Sequence, residues 1–198
     1  MIRGFHLADW FTLANAACGM AAVFAAMASI RPGGGVSLLL ACAFIPAAFV
    51  FDVLDGRIAR WRQQQSALGR ELDSLADVIS FGVAPAAIGY AAGMHGLWDC
   101  IILGYFVCCG VSRLARYNIT AEALSQEAGK VKYFEGTPIP TSLLLVVIVA
   151  IAAWQGRLGA ALWLGQVELG PWSLHPLALM YAVSGSLMIS KTLRIPKL

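Results

Sequence analysis

The chain has 198 residues, 59% of them hydrophobic and only 13% charged, with a formal net charge of +3. A mean hydropathy of +0.73 lies outside the range of soluble globular domains and points to a membrane protein. The small basic excess leaves no surplus that calls for a nucleic acid, because it is accounted for by residues flanking apolar segments and facing anionic headgroups.

The first apolar stretch, about residues 8–30, runs too long for the core of a cleaved signal peptide and is expected to be a retained helix. Within it Ala8, Thr12, Asn15, Gly19, Ala22 and Ala26 recur at steps of three or four, the small-residue stripe that lets membrane helices approach closely. Asn15 is the exception to a pure packing role, since its amide needs a partner at depth. A second stretch, 36–54, follows the "RPGGG" turn; a third, 74–94, follows a polar turn at 62–70; a fourth, 97–117, follows a short turn at 94–96. After the polar segment 118–136 come a fifth stretch, 138–155, and a sixth, 174–190. The Gly-rich segment 156–173 between them, with "ALWLG" and "PW", suits an interfacial helix.

Each of the six is near the ~17–25 residues that cross a hydrocarbon core, where backbone groups must bond internally. The expectation is a single all-α polytopic domain over residues 1–198, with about six transmembrane helices. Of the 14 Lys and Arg, only Arg31 and Arg157 fall on one side of such a topology. Arg3, Arg57, Arg60, Arg62, Arg70, Arg113, Arg116, Lys130, Lys132, Lys191, Arg194 and Lys197 fall on the other, which puts both termini in the cytoplasm. The five cysteines show no metal-ligand spacing and read as small apolar core residues, and the three histidines are scattered.

The informative stretch is "FDVLDGRIARWRQQQSALGRELDSLADVISFG", residues 51–82. Asp52 and Asp55 are spaced i, i+3 and Asp73 and Asp77 i, i+4, so each pair shares a helix face, with Gly56, Ala59 and Gly69 on the same faces. Two helices packed through those small residues would bring four carboxylates to one point. An aspartate near the bilayer centre costs roughly 2.5–3.5 kcal/mol, and repulsion adds to that, so the group must protonate or bind cations. Oxygen-only ligation suits Mg²⁺, Mn²⁺ or Ca²⁺ rather than zinc, and two such ions about 3.5–4 Å apart form a recurrent arrangement for displacement at phosphorus. The bland alternative pairs the aspartates with Arg57, Arg60 and Arg62 at a solvated helix end. A cation transporter or channel is a third reading, disfavoured by clustering at one face and by the lack of a repeat; a silent lipid-binding scaffold is disfavoured by the presence of all four acids.

Written out, the stretch is Asp52-x2-Asp55-Gly56-x2-Ala59-Arg60-x8-Gly69-x3-Asp73-x3-Asp77, which resembles the full signature of the CDP-alcohol phosphotransferases, integral-membrane enzymes of phospholipid synthesis. The resemblance implies that Asp52, Asp55, Asp73 and Asp77 hold divalent metal, Mg or Mn and two ions per subunit, with Asp77 also the catalytic base. It implies that Gly56 and Ala59 leave room for cytidine, that Arg60 lies near the nucleotide, and that Gly69 allows close helix approach. Thr12 and Asn15 resemble the family's polar positions around the cytidine diphosphate. A homodimer in a cell membrane of bacterial or archaeal type is expected on the same ground.

"SRLARYN" (112–118), "YFEGTPIPTS" (133–142) and the opening "LADWFTLANAACGMAAVFAA" resemble signatures of membrane-embedded phosphatidylserine synthases. This implies CDP-diacylglycerol and L-serine as substrates, ahead of glycerol 3-phosphate or inositol phosphate as acceptor. Arg113 or Arg116 would clamp the serine carboxylate. Asn118 and the backbone around Phe134, Gly136 and Pro138 would orient its ammonium.

Overall fold

A computed structural model describes residues 6–31, 34–61, 67–126, 133–190, 192 and 194–196. Arg3, Arg62, Lys130, Lys132, Lys191 and Lys197 lie outside the described residues, as do the side chains of Phe134 and Arg194. Seven α-helices form in order: α1 Leu7–Ser29, α2 Gly35–Trp61, α3 Ala67–Asp77, α4 Ala84–Ala91, α5 Leu97–Gln126, α6 Ser142–Trp154 and α7 Leu179–Ile189. A π-helical turn, Val78–Val83, joins α3 to α4, so that Leu68–Ala91 is one continuous rod. Four rods are long and apolar enough to cross a membrane, Leu7–Ser29, Gly35–Trp61, Leu68–Ala91 and Leu97–Ile119. Two shorter apolar helices, Ile139–Trp154 and Pro176–Ile189, complete the bundle.

The helices outrun the apolar stretches that announced them. At 27 residues α2 is about 40 Å long against a hydrocarbon core of ~30 Å, so the helix continues through Asp52, Asp55 and Arg60. The supposed turn at 62–70 is helical from residue 67, and the polar segment after residue 117 continues α5 to Gln126. Charged residues end an apolar stretch without ending a helix, because the backbone bonds are indifferent to side-chain polarity at the membrane surface.

The segment 156–173 is not an interfacial helix. It holds a 3₁₀ turn at Gly159–Ala161 and a hairpin, β2 Val167–Leu169 pairing antiparallel with β3 Trp172–Leu174. Gly170, at φ +69°, and Pro171 form the two-residue loop, a sequence that cannot continue a helix. A second short ladder pairs β1 Tyr133–Glu135 with β4 Arg194–Pro196, so the fold is helical with two small strand pairs rather than purely α. Two of the cysteines, Cys100 and Cys108, are exposed, contrary to the expectation of a wholly buried set.

Packing is centred on α1 and α2, and α1 also lies along α3, the π turn and α4. The buried residues of α1 are Ala8, Asp9, Thr12, Asn15, Gly19, Ala22 and Ala26, which contain the whole small-residue stripe. Gly19 is required by the close approach: a Cβ there would lie 2.7 Å from Ser80 Cα in the π turn. Deeper in the bundle Phe106 and Tyr181 meet edge to face at 5.4 Å, and the Tyr181 hydroxyl donates to the Pro85 carbonyl at 3.0 Å. The outward face is apolar, with Phe24 at 61%, Val36 at 79% and Leu144 at 66% exposure, a surface suited to acyl chains rather than water.

The end of the bundle away from the aspartates is fastened by Asp99. Its carboxylate accepts from the Gly96 amide at 3.0 Å, the His175 amide at 2.8 Å and His175 Nδ1 at 2.7 Å, all buried. This joins the start of α5 to the entry of α7, a partnership invisible in the spacing of either residue.

Replacing Gly19 with Val should overpack the contact between α1 and the π turn, at a cost of about 1–3 kcal/mol. The expected outcome is a lower melting temperature in detergent, with Ala22→Val on the same stripe as the comparison for ordinary small-to-large crowding.

Candidate active site

Three rods bring the site together at one end of the bundle. The last turns of α2 carry Asp52 and Asp55, α3 carries Asp73 and Asp77, and α1 lies across both. One carboxylate oxygen from each of Asp52, Asp55 and Asp73 lies within 4.8 Å of the others. Asp77 adjoins this trio, facing Asp52 and Asp73. Asp55 and Asp77 are buried, and Asp52 and Asp73 half-buried.

Helix α1 does more than pack. Thr12 Oγ1 donates to Asp55 Oδ2 at 2.8 Å, and Asn15 Nδ2 donates to Asp77 Oδ1 at 3.3 Å. Asn15, fully buried, is itself held by Ser80, whose hydroxyl donates to the Asn15 carbonyl at 2.9 Å. Ser80 sits in the π turn that immediately follows Asp77, and such turns recur at functional sites because one extra residue re-aims the side chains around them.

Two residues here were not singled out from the sequence. Ser80 lies three residues after Asp77, a spacing that marks it only once the π turn is known. Asp9, buried one turn before Thr12, accepts from the His6 amide at 2.7 Å and adds a carboxylate that faces Asp55. Its place on the α1 stripe was the available signal.

The alternative in which arginines neutralise the aspartates fails where it can be checked. Among the described residues, neither Arg57 nor Arg60 forms an ion pair with any of the four. Arg60 is exposed, and its guanidinium passes over Gly56, at 3.8 Å from where a Cβ would stand. Ala59 is half-buried beside it, and Gly69 stands one turn before Asp73 on α3. Asp73 Oδ1 and Asn15 Oδ1 are buried with no hydrogen-bond partner. Clustered carboxylate oxygens, an orphaned one among them, with no ion-paired basic side chain among the described residues, fit a hard divalent cation.

The residues expected around the acceptor separate into two groups. Arg113 is nine-tenths buried, faces Asp77 from α5, and leaves Nε without a partner. Arg116 points elsewhere: its guanidinium donates to the Ile189 carbonyl at 3.2 Å, at the C-terminus of α7, where a cation suits the helix dipole. Asn118 ties α5 to α3, its Nδ2 donating to Ser74 Oγ at 2.9 Å and its Oδ1 accepting from the same hydroxyl at 3.2 Å. Gly136, buried at φ +74°, packs against the Met188 carbonyl, while Pro138 is exposed.

A bundle of apolar rods with a carboxylate cage at one end defines a helical membrane protein with an acidic site. Residues 5–181 match the family model described as CDP-alcohol phosphatidyltransferase, and the chain belongs to that family. It is 42% identical over 200 residues to a CDP-diacylglycerol–serine O-phosphatidyltransferase of Saccharomyces cerevisiae, covering all of this chain and 72% of that one. A Helicobacter pylori protein of the same name is 38% identical over 134 residues, 65% of this chain and 53% of its own. An archaetidylserine synthase of Methanothermobacter thermautotrophicus is 34% identical over 158 residues, 78% of this chain and 62% of its own. The chain thus spans about half the length of the Helicobacter relative.

If the cage holds a cation, Mn²⁺ or Mg²⁺ should raise the melting temperature of the purified protein, by about 2.7 kcal/mol of stabilisation at a hundredfold excess over the dissociation constant. Asp73→Asn should remove most of that rise, read by thermal unfolding with and without chelator.

Proposed function

We propose that the chain transfers the phosphatidyl group of CDP-diacylglycerol to L-serine, giving phosphatidylserine and CMP. The observation that carries this reading is the cage of Asp52, Asp55 and Asp73 with Asp77 beside it, bound to α1 through Thr12 and Asn15. The acceptor is supported by the relatives: the yeast and Helicobacter proteins are named as CDP-diacylglycerol–serine O-phosphatidyltransferases and the archaeal one as an archaetidylserine synthase, so serine is common to all three names.

In this reading Asp52, Asp55, Asp73 and Asp77 hold one or two divalent ions. When bound, Mg²⁺ or Mn²⁺ would neutralise the diphosphate and the charge that develops on the departing nucleotide. Gly56 and Ala59 leave room for the cytidine, with Arg60 at its edge, and Gly69 keeps the two helices close. Thr12 keeps Asp55 turned into the cage, and Asn15 does the same for Asp77. Asp77 accepts the proton of the serine hydroxyl. The hydroxyl oxygen then forms a bond to the phosphorus that carries diacylglycerol, and the anhydride bond breaks with its electron pair leaving on CMP. Much of the acceleration comes from positioning, which is what fixed side chains on rigid rods supply.

Arg113 receives the serine carboxylate in this reading, which its burial on α5 near Asp77 and its unpartnered Nε support. Arg116 and Asn118 support it by fixing α5 against α7 and α3. Gly136, with the backbone from Phe134 to Pro138, closes the acceptor side. The site lies at the cytoplasmic face of a six-span protein in the cell membrane, supported by the 12 of 14 basic residues on that side. There the lipid substrate keeps its chains in the bilayer while serine and CMP exchange with the cytosol. A homodimer, supported by the family resemblance, belongs to the same reading.

Purified protein given CDP-diacylglycerol and Mn²⁺ or Mg²⁺ should release CMP with L-serine and not with glycerol 3-phosphate or inositol phosphate; the reverse preference refutes the acceptor. Asp77→Asn should lower turnover by at least about 100-fold, the scale of a lost general base, while nucleotide-lipid binding changes little. Arg113→Lys should raise the KM for serine more than it lowers kcat.

A further inference from the structure

Buried polar atoms in folded proteins almost always have partners, so the exceptions mark places where something else binds. Among the described residues six side-chain atoms are buried and unpartnered: Asn15 Oδ1, Asp73 Oδ1, Arg113 Nε, Thr137 Oγ1, Ser142 Oγ and His175 Nε2. The first two belong to the carboxylate cage and the last to the far end of the bundle. Of the remaining three, Thr137 and Ser142 flank one bend of the chain, and Arg113 stands on α5, the helix against which that bend packs.

That bend is the 3₁₀ turn Ile139–Thr141, which leads into α6. Ile139, 1% exposed, is its plug. Its Cδ1 would stand 2.9 Å from a Cβ on Gly110 and 4.0 Å from one on Gly82. Gly110 lies one helical turn before Arg113, and Gly82 lies in the π turn that follows Asp77. Thr137 and Ser142 bracket the plug, two residues before it and three after. Thr137 is anchored through its amide, which donates to the Leu187 carbonyl at 3.2 Å, leaving the hydroxyl uncommitted. Ser142 is fully buried at the start of α6.

We propose that the hydroxyls of Thr137 and Ser142 select the acceptor, by accepting hydrogen bonds from the ammonium group of an amino alcohol whose carboxylate is held by Arg113. This rests on the serine-transferring reading above and adds the residues that read the amine. The chemistry is complementary: a guanidinium offers only donors, while a hydroxyl offers two lone pairs to an ammonium that brings three donors. A site built around buried acceptors discriminates against an analogue lacking the matching donors, since those acceptors then stay unpaired.

The test compares L-serine with glycerate, in which a hydroxyl replaces the ammonium, as acceptors for the full-length protein with CDP-diacylglycerol. Thr137→Val and Ser142→Ala should each raise the KM for serine about 10-fold, the worth of one such bond. The KM for CDP-diacylglycerol should stay unchanged, and the preference for serine over glycerate should fall by the same factor. Thr137→Ser and Ser142→Thr, which keep the hydroxyl, should restore serine KM, so that a folding defect is told apart from a lost contact. An unchanged serine KM in Thr137→Val and Ser142→Ala, or an equal loss for both acceptors, overturns the assignment while leaving the serine reaction standing. Turnover of the unaltered protein with another acceptor and none with serine overturns both.

Discussion

Like charges gathered in a poorly solvated place set the terms for the rest of this molecule. Asp52, Asp55 and Asp73 hold oxygens within 4.8 Å of one another with Asp77 alongside, and among the described residues no arginine forms an ion pair with them. The bundle must hold them against their repulsion, and it does so with rods. Two helices deliver the carboxylates and a third pins two of them by hydrogen bonds, through Thr12 and Asn15. The demand propagates upward along α1, because the pinning side chains reach their targets only if that helix lies close, and Gly19 against Ser80 lets it do so.

The same demand explains where the basic residues stand. A guanidinium in contact with the cage would satisfy it permanently and compete with any bound cation. Arg60 therefore passes over Gly56 at the rim, Arg113 faces Asp77 without forming an ion pair, and Arg116 is turned toward the last carbonyls of α7. Among the described residues, positive charge thus stands around the cage without pairing with its acids.

Much of this could be read from the chain. The aspartate spacings and the α1 stripe each rest on a short-range helical period, and the structure brings both together as that period requires. What stayed hidden depends on departures from the period or on partners far apart in sequence. The π turn at Val78–Val83 has no composition that distinguishes it from ordinary apolar helix, and Ser80 is aimed at Asn15 only because of it. Asp99 and His175 are separated by 75 intervening positions, and neither carries a local sign of the other. Helix ends differ from the expectation where a polar sequence continues a helix beyond the hydrocarbon, at residues 67–70 of the expected turn and at residues 118–126. The hairpin after residue 166 was misread because Trp and Leu suit an interface in either conformation, and the Gly170–Pro171 loop decided between them.

The π turn divides the third rod into two parts with different partners. One additional residue rotates everything after it by about 100° relative to the helix before it. Upstream, Asp73 and Asp77 are turned to the cage; downstream, Pro85 and Gly89 meet Tyr181, and α4 is buried against α1, α5 and α6. The extra residue therefore gives one rod two working faces, an acidic one toward the cage and an apolar one toward the core, that an unbroken α-helix of the same sequence would leave about 100° out of register.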